Sequence, residues 1–316
     1  MNLNQHQLAV KAAKLYYHHN LNTKEVAAEL GLSRPKVSRL LSFARQQGIV
    51  QIRIADPAEE SRSLSNNLAQ RFGLKAAHTV PVPDNASEAE ALERVARFAA
   101  AHLNTLVQPS TVLGVAWGTT LAAIARHLIP QPTAKVEIVQ LNGSGNTADI
   151  SNPHISAVIQ ALAHNYGAQA HLFPVPAFFD FPETKAALWR ERSVMQILDL
   201  HRRANVLLYS VGALHAEVPS YVYAAGYLEK GDYAELTKQG VVGDIATVFF
   251  RANGSFKNIP INRRASGPDL ELCRTAPHAV CVVAGRSKTP ALRGALAGGL
   301  LSELIVDEPT ARRLLE

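Results

Sequence analysis

Arg34, Lys36, Ser38 and Arg39 are spaced so that one helix would carry them on the face opposite Val37, Leu40, Leu41 and Ala44. Cations and hydroxyls presented in this way can meet phosphates and base edges. Ser33 stands at the N-cap of that helix, and Pro35 falls in its first turn, where a missing N–H does no harm. The residues just before it read as a shorter helix, with the Thr23 hydroxyl as N-cap, Val26, Ala27 and Leu30 on one apolar side, and Gly31 as terminator. A short helix, a glycine turn and a basic second helix make a helix-turn-helix, whose second helix enters the DNA major groove by its N-terminal residues. Thr23, Ser33, Arg34, Lys36, Ser38 and Arg39 are therefore the candidate DNA contacts.

Further along, polar and glycine-rich loops follow apolar runs. In Gly114–Thr120 a strand ends, glycine permits close approach, and Gly118, Thr119 and Thr120 open a helix whose free N–H groups can hold an anion. The same residues are also an ordinary way to start a helix. Asn142-Gly143-Ser144-Gly145-Asn146 can hydrogen-bond sugar hydroxyls or serve as a plain turn. Gly285-Arg286-Ser287-Lys288-Thr289-Pro290 sets two cations beside the start of a helix, with Thr289 able to cap and Pro290 to sit at N1. A bound phosphate, or solvent around the long side chains, would resolve that charge conflict. Asp244 follows a glycine corner and can hold a pair of hydroxyls or close an Asx-turn.

The elements that must position these residues fall into two regions. Leu8, Ala12, Leu15 and Tyr16 give a supporting helix over Gln7–Tyr17, completing a three-helix DNA-binding domain in residues 1–55, and Ile49–Ile54 alternates like a short strand. Residues 56–63 read as a polar linker, followed by Leu64, Leu68 and Phe72 on a connecting helix. Residues 64–316 alternate apolar runs with helical segments, which predicts an α/β domain with a mainly parallel sheet, Rossmann-like in class. The strands are expected at Ala77–Val82, Thr111–Val115, Val136–Leu141, Ala170–Val175, Asn205–Ser210, Ala279–Ala284 and Leu304–Val306. Helices are expected at Ala89–Leu106, Thr120–Leu128, Ser156–Tyr166, Glu191–Arg202 and Ala291–Leu300. Ile245–Phe250, ended by Asn253-Gly254, reads as an inserted antiparallel hairpin. In such a sheet, ligands bind at the carboxyl ends of strands, where the polar loops lie.

Charge separates the same two regions. Up to residue 55 there are eight basic and two acidic residues, which accounts for the whole net charge of +6 and leaves the remainder neutral. A basic module on a neutral body suits phosphate binding by counterion release. No apolar signal core opens the chain and no run approaches the roughly 18 apolar residues of a membrane span, so the expected location is the cytoplasm, with no membrane partner. The two cysteines, Cys273 and Cys281, belong to no metal-ligand spacing, and the 12 histidines are scattered, so no metal or cofactor is expected.

The segments KEVAAELGLSRPKVSRLL, GVAWGTTL, VVGDIATVFFRANG and VVAGRSKTPALRGALAGGLLSELIVDEPTARRLL, in that order, resemble the SorC family of bacterial sugar-responsive transcriptional regulators over almost the whole chain. The resemblance implies an effector domain with the fold of sugar-phosphate isomerases and glucosamine-phosphate deaminases. It also implies a dimer or tetramer on operator DNA, palindromic in sequence, and a sugar, polyol or sugar phosphate as effector. By this likeness Gly118, Thr119 and Thr120 hold the phosphate or an equivalent polar end, while Asn142, Gly143, Asp244 and Lys288 close round the sugar. Ala284 stands where phosphosugar-binding members carry a glycine, so a free sugar or polyol stays open. The alternative reading, an isomerase or deaminase with a DNA-binding appendage, would need a general base, for which Asp149, Asp232 and Asp244 are the dispersed candidates.

Overall fold

The computed structural model describes residues 3–50, 57–83, 85–144, 154–213, 220–224 and 226–316. The chain forms two compact units, residues 1–56 and 57–316.

In the first unit, α1 (Leu3–Ala13) runs into a π-helical turn at Lys14–His18 and is followed by α2 (Thr23–Leu30) and α3 (Arg34–Gln46). Ala9, Ala12, Ala13, Val26, Ala27, Val37, Leu40, Leu41 and Ala44 form its buried core. Gly31 ends α2 at φ +63°, as a left-handed C-cap requires. The N-cap of α2 is Asn22 rather than Thr23. Asn22 Oδ1 accepts the N–H groups of Lys24 (3.0 Å) and Glu25 (3.1 Å), and the Glu25 carboxylate accepts the Asn22 N–H (2.8 Å). This capping box uses the stronger capping residue and the acid three positions on, and it moves Thr23 into the first turn. Ser33 is the N-cap of α3 by backbone geometry, without a side-chain cap bond. Of the strand expected at Ile49–Ile54, residues 51–54 lie outside the described residues.

The second unit opens with α4 (Pro57–Phe72), so the expected linker is helical. Proline at its start and Glu59 and Glu60 in the first turn are helix-starting signals within that polar run. There follow β1 (Ala76–Val80), α5 (Glu88–Leu106), β2 (Val112–Val115), α6 (Thr119–Arg126), β3 (Glu137–Gln140), α7 (His154–Tyr166) and β4 (Gln169–His171). The middle of the unit holds α8 (Pro182–Leu188), α9 (Arg192–Arg203), β5 (Val206–Tyr209), β6 (Val211–Gly212), α10 (Tyr221–Ala224) and α11 (Lys230–Lys238). It closes with β7 (Val241–Ile245), β8 (Val248–Arg251), α12 (Glu271–Thr275), β9 (His278–Val283), α13 (Thr289–Ala297), β10 (Glu303–Asp307) and α14 (Glu308–Leu315).

Seven parallel strands form one sheet in the order β1-β10-β9-β5-β2-β3-β4, and β6-β7-β8 form a small antiparallel sheet. Both faces of the central strands β2, β5, β9 and β10 are buried. Val206, Leu208, Val280 and Val282 face a core shared with α5, α6 and α7, whereas Leu207, Tyr209, Cys281 and Val283 face one shared with α4, α9, α13 and α14. Burial on two sides explains why these strands read as continuous apolar runs. From β2 the chain builds outward through β3 and β4, and from β5 it builds the other way through β9 and β10. The topological switch point therefore lies between β2 and β5.

The inserted hairpin differs from expectation. Its turn is Ala246-Thr247, inside the run Ile245–Phe250 and not at Asn253-Gly254, with both residues at positive φ (+47° and +69°). Neither residue is among those favoured there, so the sequence carries no hairpin signal at this position.

Candidate effector site and DNA-binding face

A small cavity opens at the carboxyl ends of β2 and β5. From the loop after β2 come Gly118, Thr119 and Thr120; from the loop after β3, Asn142; after β5, Ser210 and Gly212; from the hairpin, Asp244, Ala246 and Thr247; and from the turn before α13, Lys288. Six of the seven sequence-predicted effector residues thus meet in one cavity. Gly143 does not line it. Its N–H donates to Ser266 Oγ (2.9 Å), and a Cβ would lie 2.3 Å from the Val175 carbonyl oxygen. Glycine is needed there for close backbone approach.

At the floor, Gly118 is the N-cap of α6 at φ +147°, and Thr120 Oγ1 donates to Ser210 Oγ (3.3 Å). The Trp117 indole N–H donates to the carbonyls of Asn142 (3.2 Å) and Gly143 (3.0 Å), fixing the next wall. The buried oxygens Asn142 Oδ1 and Asp244 Oδ1 have no hydrogen-bond partner among the described residues. Buried acceptors in that state are costly unless a donor completes them. Asp244 Oδ2 accepts the Thr247 N–H (3.1 Å), so the same carboxylate braces the left-handed turn. Burial pushes the Asp244 carboxyl up to about 6, against the opposing pull of the nearby Tyr223 phenol, the Thr247 N–H and the Lys288 charge. Lys288, 3% exposed, has its pKa lowered by burial and supported by Cys281, Glu88 and Asp244. Its side chain lines the cavity. Lys288, not Thr289, is the N-cap of α13, and Thr289 Oγ1 donates instead to the Arg286 carbonyl (2.7 Å). Arg286, the other cation of this turn, is exposed.

The cavity therefore offers the Asn142 amide oxygen, the Asp244 carboxylate, one ammonium, hydroxyls and a helix N-terminus, which together suit a molecule bearing several hydroxyls. Sequence reasoning missed Ser210, Gly212, Ala246 and Thr247. Ser210 ends the predicted strand 205–210, but only the adjacency of β5 to β2 brings it into the site. Of the three carboxylates considered as a general base, only Asp244 lines the cavity. Asp232 closes a capping box at the start of α11 and pairs with Arg264 at 2.5 Å, and Asp149 lies outside the described residues.

In the other unit, Ser33, Arg34, Lys36, Ser38 and Arg39 are all exposed on α3, opposite its buried stripe, and Thr23 is half-buried at the start of α2. Arg39 Nε makes only a long contact to the Pro35 carbonyl (3.4 Å), leaving the terminal guanidinium nitrogens to outside partners. Among the described residues no helix is long and apolar enough to cross a membrane, and no cluster of three or more His, Cys, Asp or Glu residues could hold a metal ion.

A helix-turn-helix unit with a basic exposed face, joined in one chain to an α/β unit with a polar cavity at its switch point, defines a ligand-responsive transcriptional regulator. Residues 56–316 match the Sugar-bind family, described as "Putative sugar-binding domain". The chain is 34% identical to the Deoxyribonucleoside regulator of Bacillus subtilis, over 100% of this chain and 99% of that one. It is 28% identical to the Sorbitol operon regulator of Klebsiella pneumoniae, over 98% of each. The crystal structure of the full-length sorbitol operon regulator SorC from K. pneumoniae covers 99% of this chain and 100% of its own, at 26% identity and a TM-score of 0.76. The chain belongs to the Sugar-bind family and is a sugar-binding transcriptional regulator of the SorC type.

Proposed function

We propose that this protein binds operator DNA through α3 and that a small polyhydroxyl effector in the β2–β5 cavity sets its operator affinity, controlling an operon for use of a carbohydrate or polyol. The observation that carries this reading is the convergence of Gly118, Thr119, Thr120, Asn142, Asp244 and Lys288 on one cavity at the switch point. Asn142 Oδ1 and Asp244 Oδ1 would accept from adjacent effector hydroxyls. Lys288 and the start of α6 would take a phosphate or the oxygen-rich end of a free sugar or polyol. Relatives named for deoxyribonucleosides, sorbitol and erythritol support ligands of this kind. In this reading the effector acts as a ligand and not as a substrate; among the described cavity-lining residues Asp244 is the one carboxylate, and it is already bonded to its own turn. The protein works in the cytoplasm at the nucleoid, as a homodimer or homotetramer on a two-fold symmetric operator.

The test is thermal unfolding in the presence of a panel of pentoses, hexoses, polyols and their phosphates. At least one compound should raise the midpoint of wild type and leave Lys288→Ala unmoved. Absence of any stabilising compound, or equal stabilisation of both proteins, would remove the cavity from the effector's role.

A further inference from the structure

We propose that Glu88, which lies outside the effector cavity, is a positioning residue for Lys288: its carboxylate clamps the turn Gly285–Lys288 and so sets where the ammonium enters the cavity. The inference rests on reading Lys288 as an effector contact. Glu88 is the first residue of α5, directly after the capping Ser87. Its Oε1 accepts the Ser287 N–H (2.8 Å) and its Oε2 accepts the Ser287 Oγ–H (2.6 Å), so both oxygens hold the residue that immediately precedes Lys288. Hydrogen bonds to an ionised acceptor are the stronger kind, and two from one residue fix orientation as well as distance.

The turn is pinned at its other end too, where the Gly285 N–H donates to Asp307 Oδ2 (2.8 Å), and it closes on itself through the Lys288 N–H and the Gly285 carbonyl (3.2 Å). Gly285 sits at φ +102°, and a Cβ there would lie 2.5 Å from Glu88 Cδ. The missing side chain at 285 is what lets the carboxylate reach Ser287. The groups that face Lys288 electrostatically are Glu88 on α5, Asp244 on β7 and Cys281 on β9. Asp244 lines the cavity with Lys288; Glu88 stands behind it. Glu88 is thus suited both to aim the ammonium and to keep it charged against burial, without touching the ligand.

The experiment is a pH titration of the Lys288 Cε resonance in full-length, effector-free protein carrying 13C-labelled lysine, with Lys288→Met for assignment. In Glu88→Gln the resonance should move, and its midpoint should fall by about half a pH unit or more, as loss of a nearby opposite charge requires. Ser287→Ala, which keeps the charge but removes one of the two bonds, should change the Lys288 chemical shift with a smaller change of midpoint. An unchanged shift and midpoint in a folded Glu88→Gln protein would overturn the proposal. If that variant does not fold, an unchanged Lys288 resonance in Ser287→Ala overturns it. No effector enters the titration, so a failure of the ligand panel described above would count against the cavity reading and not against the clamp.

Discussion

Asp244 is a buried carboxyl whose pKa is raised from 3.8 to about 6, chiefly by burial. At roughly 1.36 kcal/mol for each pH unit, a rise of that size corresponds to about 3 kcal/mol of folding free energy. The native state holds its proton more tightly than the unfolded chain, so the contribution to stability is fully present below about pH 4 and is lost as pH rises through about 6. At pH 8 the ionised carboxylate is therefore a liability that an amide would not carry. Asp244→Asn keeps an acceptor for the Thr247 N–H and removes the charge, so it should stabilise residues 57–316 by up to about 3 kcal/mol at pH 8. Near pH 4 the gain should vanish. Both tryptophans, Trp117 and Trp189, belong to this unit, so urea unfolding followed by tryptophan fluorescence reads it separately from the helix-turn-helix. The same variant should lose the response to effector, because the amide gives up the charged acceptor that the proposed ligand contact uses. A variant no more stable than wild type at pH 8, or one equally stabilised at pH 4 and pH 8, would refute the reasoning.

Other perturbations separate the two units. Arg39→Ala should weaken operator binding about tenfold and flatten its salt dependence by about one phosphate contact, with effector affinity unaltered; unchanged DNA affinity at physiological salt would move the recognition surface elsewhere. Thr120→Val and Lys288→Ala should each abolish the influence of effector on DNA binding while leaving basal DNA binding intact, and a full response in both would displace the ligand from the cavity. Asn22→Ala removes the side chain of the capping box and should cost about 1 kcal/mol at the start of α2, seen as faster hydrogen exchange at the Lys24 and Glu25 amides; unaltered exchange would show that the box does not hold that helix end.

The sheet was the most legible part of this chain. Each strand of the seven-stranded sheet overlaps a predicted run, and the central ones are plainest because strands covered on both faces have no polar side to disguise them. What the sequence hid were local choices between near-equivalent residues. Asn22 and Thr23 can both cap, and the acid at Glu25 settles the choice in favour of Asn22. The polar run before Leu64 looked like a linker, although its proline and paired glutamates belong to a helix start. Ala246 and Thr247 gave no turn signal, since their positive φ values depend on the Asp244 carboxylate and the surrounding packing. The residues that line the cavity stand on separate loops of the sequence, and their convergence follows only from the strand order. Gly143 shows the limit of reading a glycine as a ligand contact, because it is needed where the chain passes Val175.

Fluorescence anisotropy of labelled DNA from upstream of the gene, titrated with full-length protein at fixed salt with and without each stabilising sugar, polyol or sugar phosphate, addresses regulation directly. At least one compound should shift DNA affinity tenfold or more, about 1.4 kcal/mol of coupling, and Lys288→Ala should bind the DNA equally with and without it. Tight DNA binding that stays the same in the presence of every compound that stabilises residues 57–316 would contradict an effector-controlled operator switch.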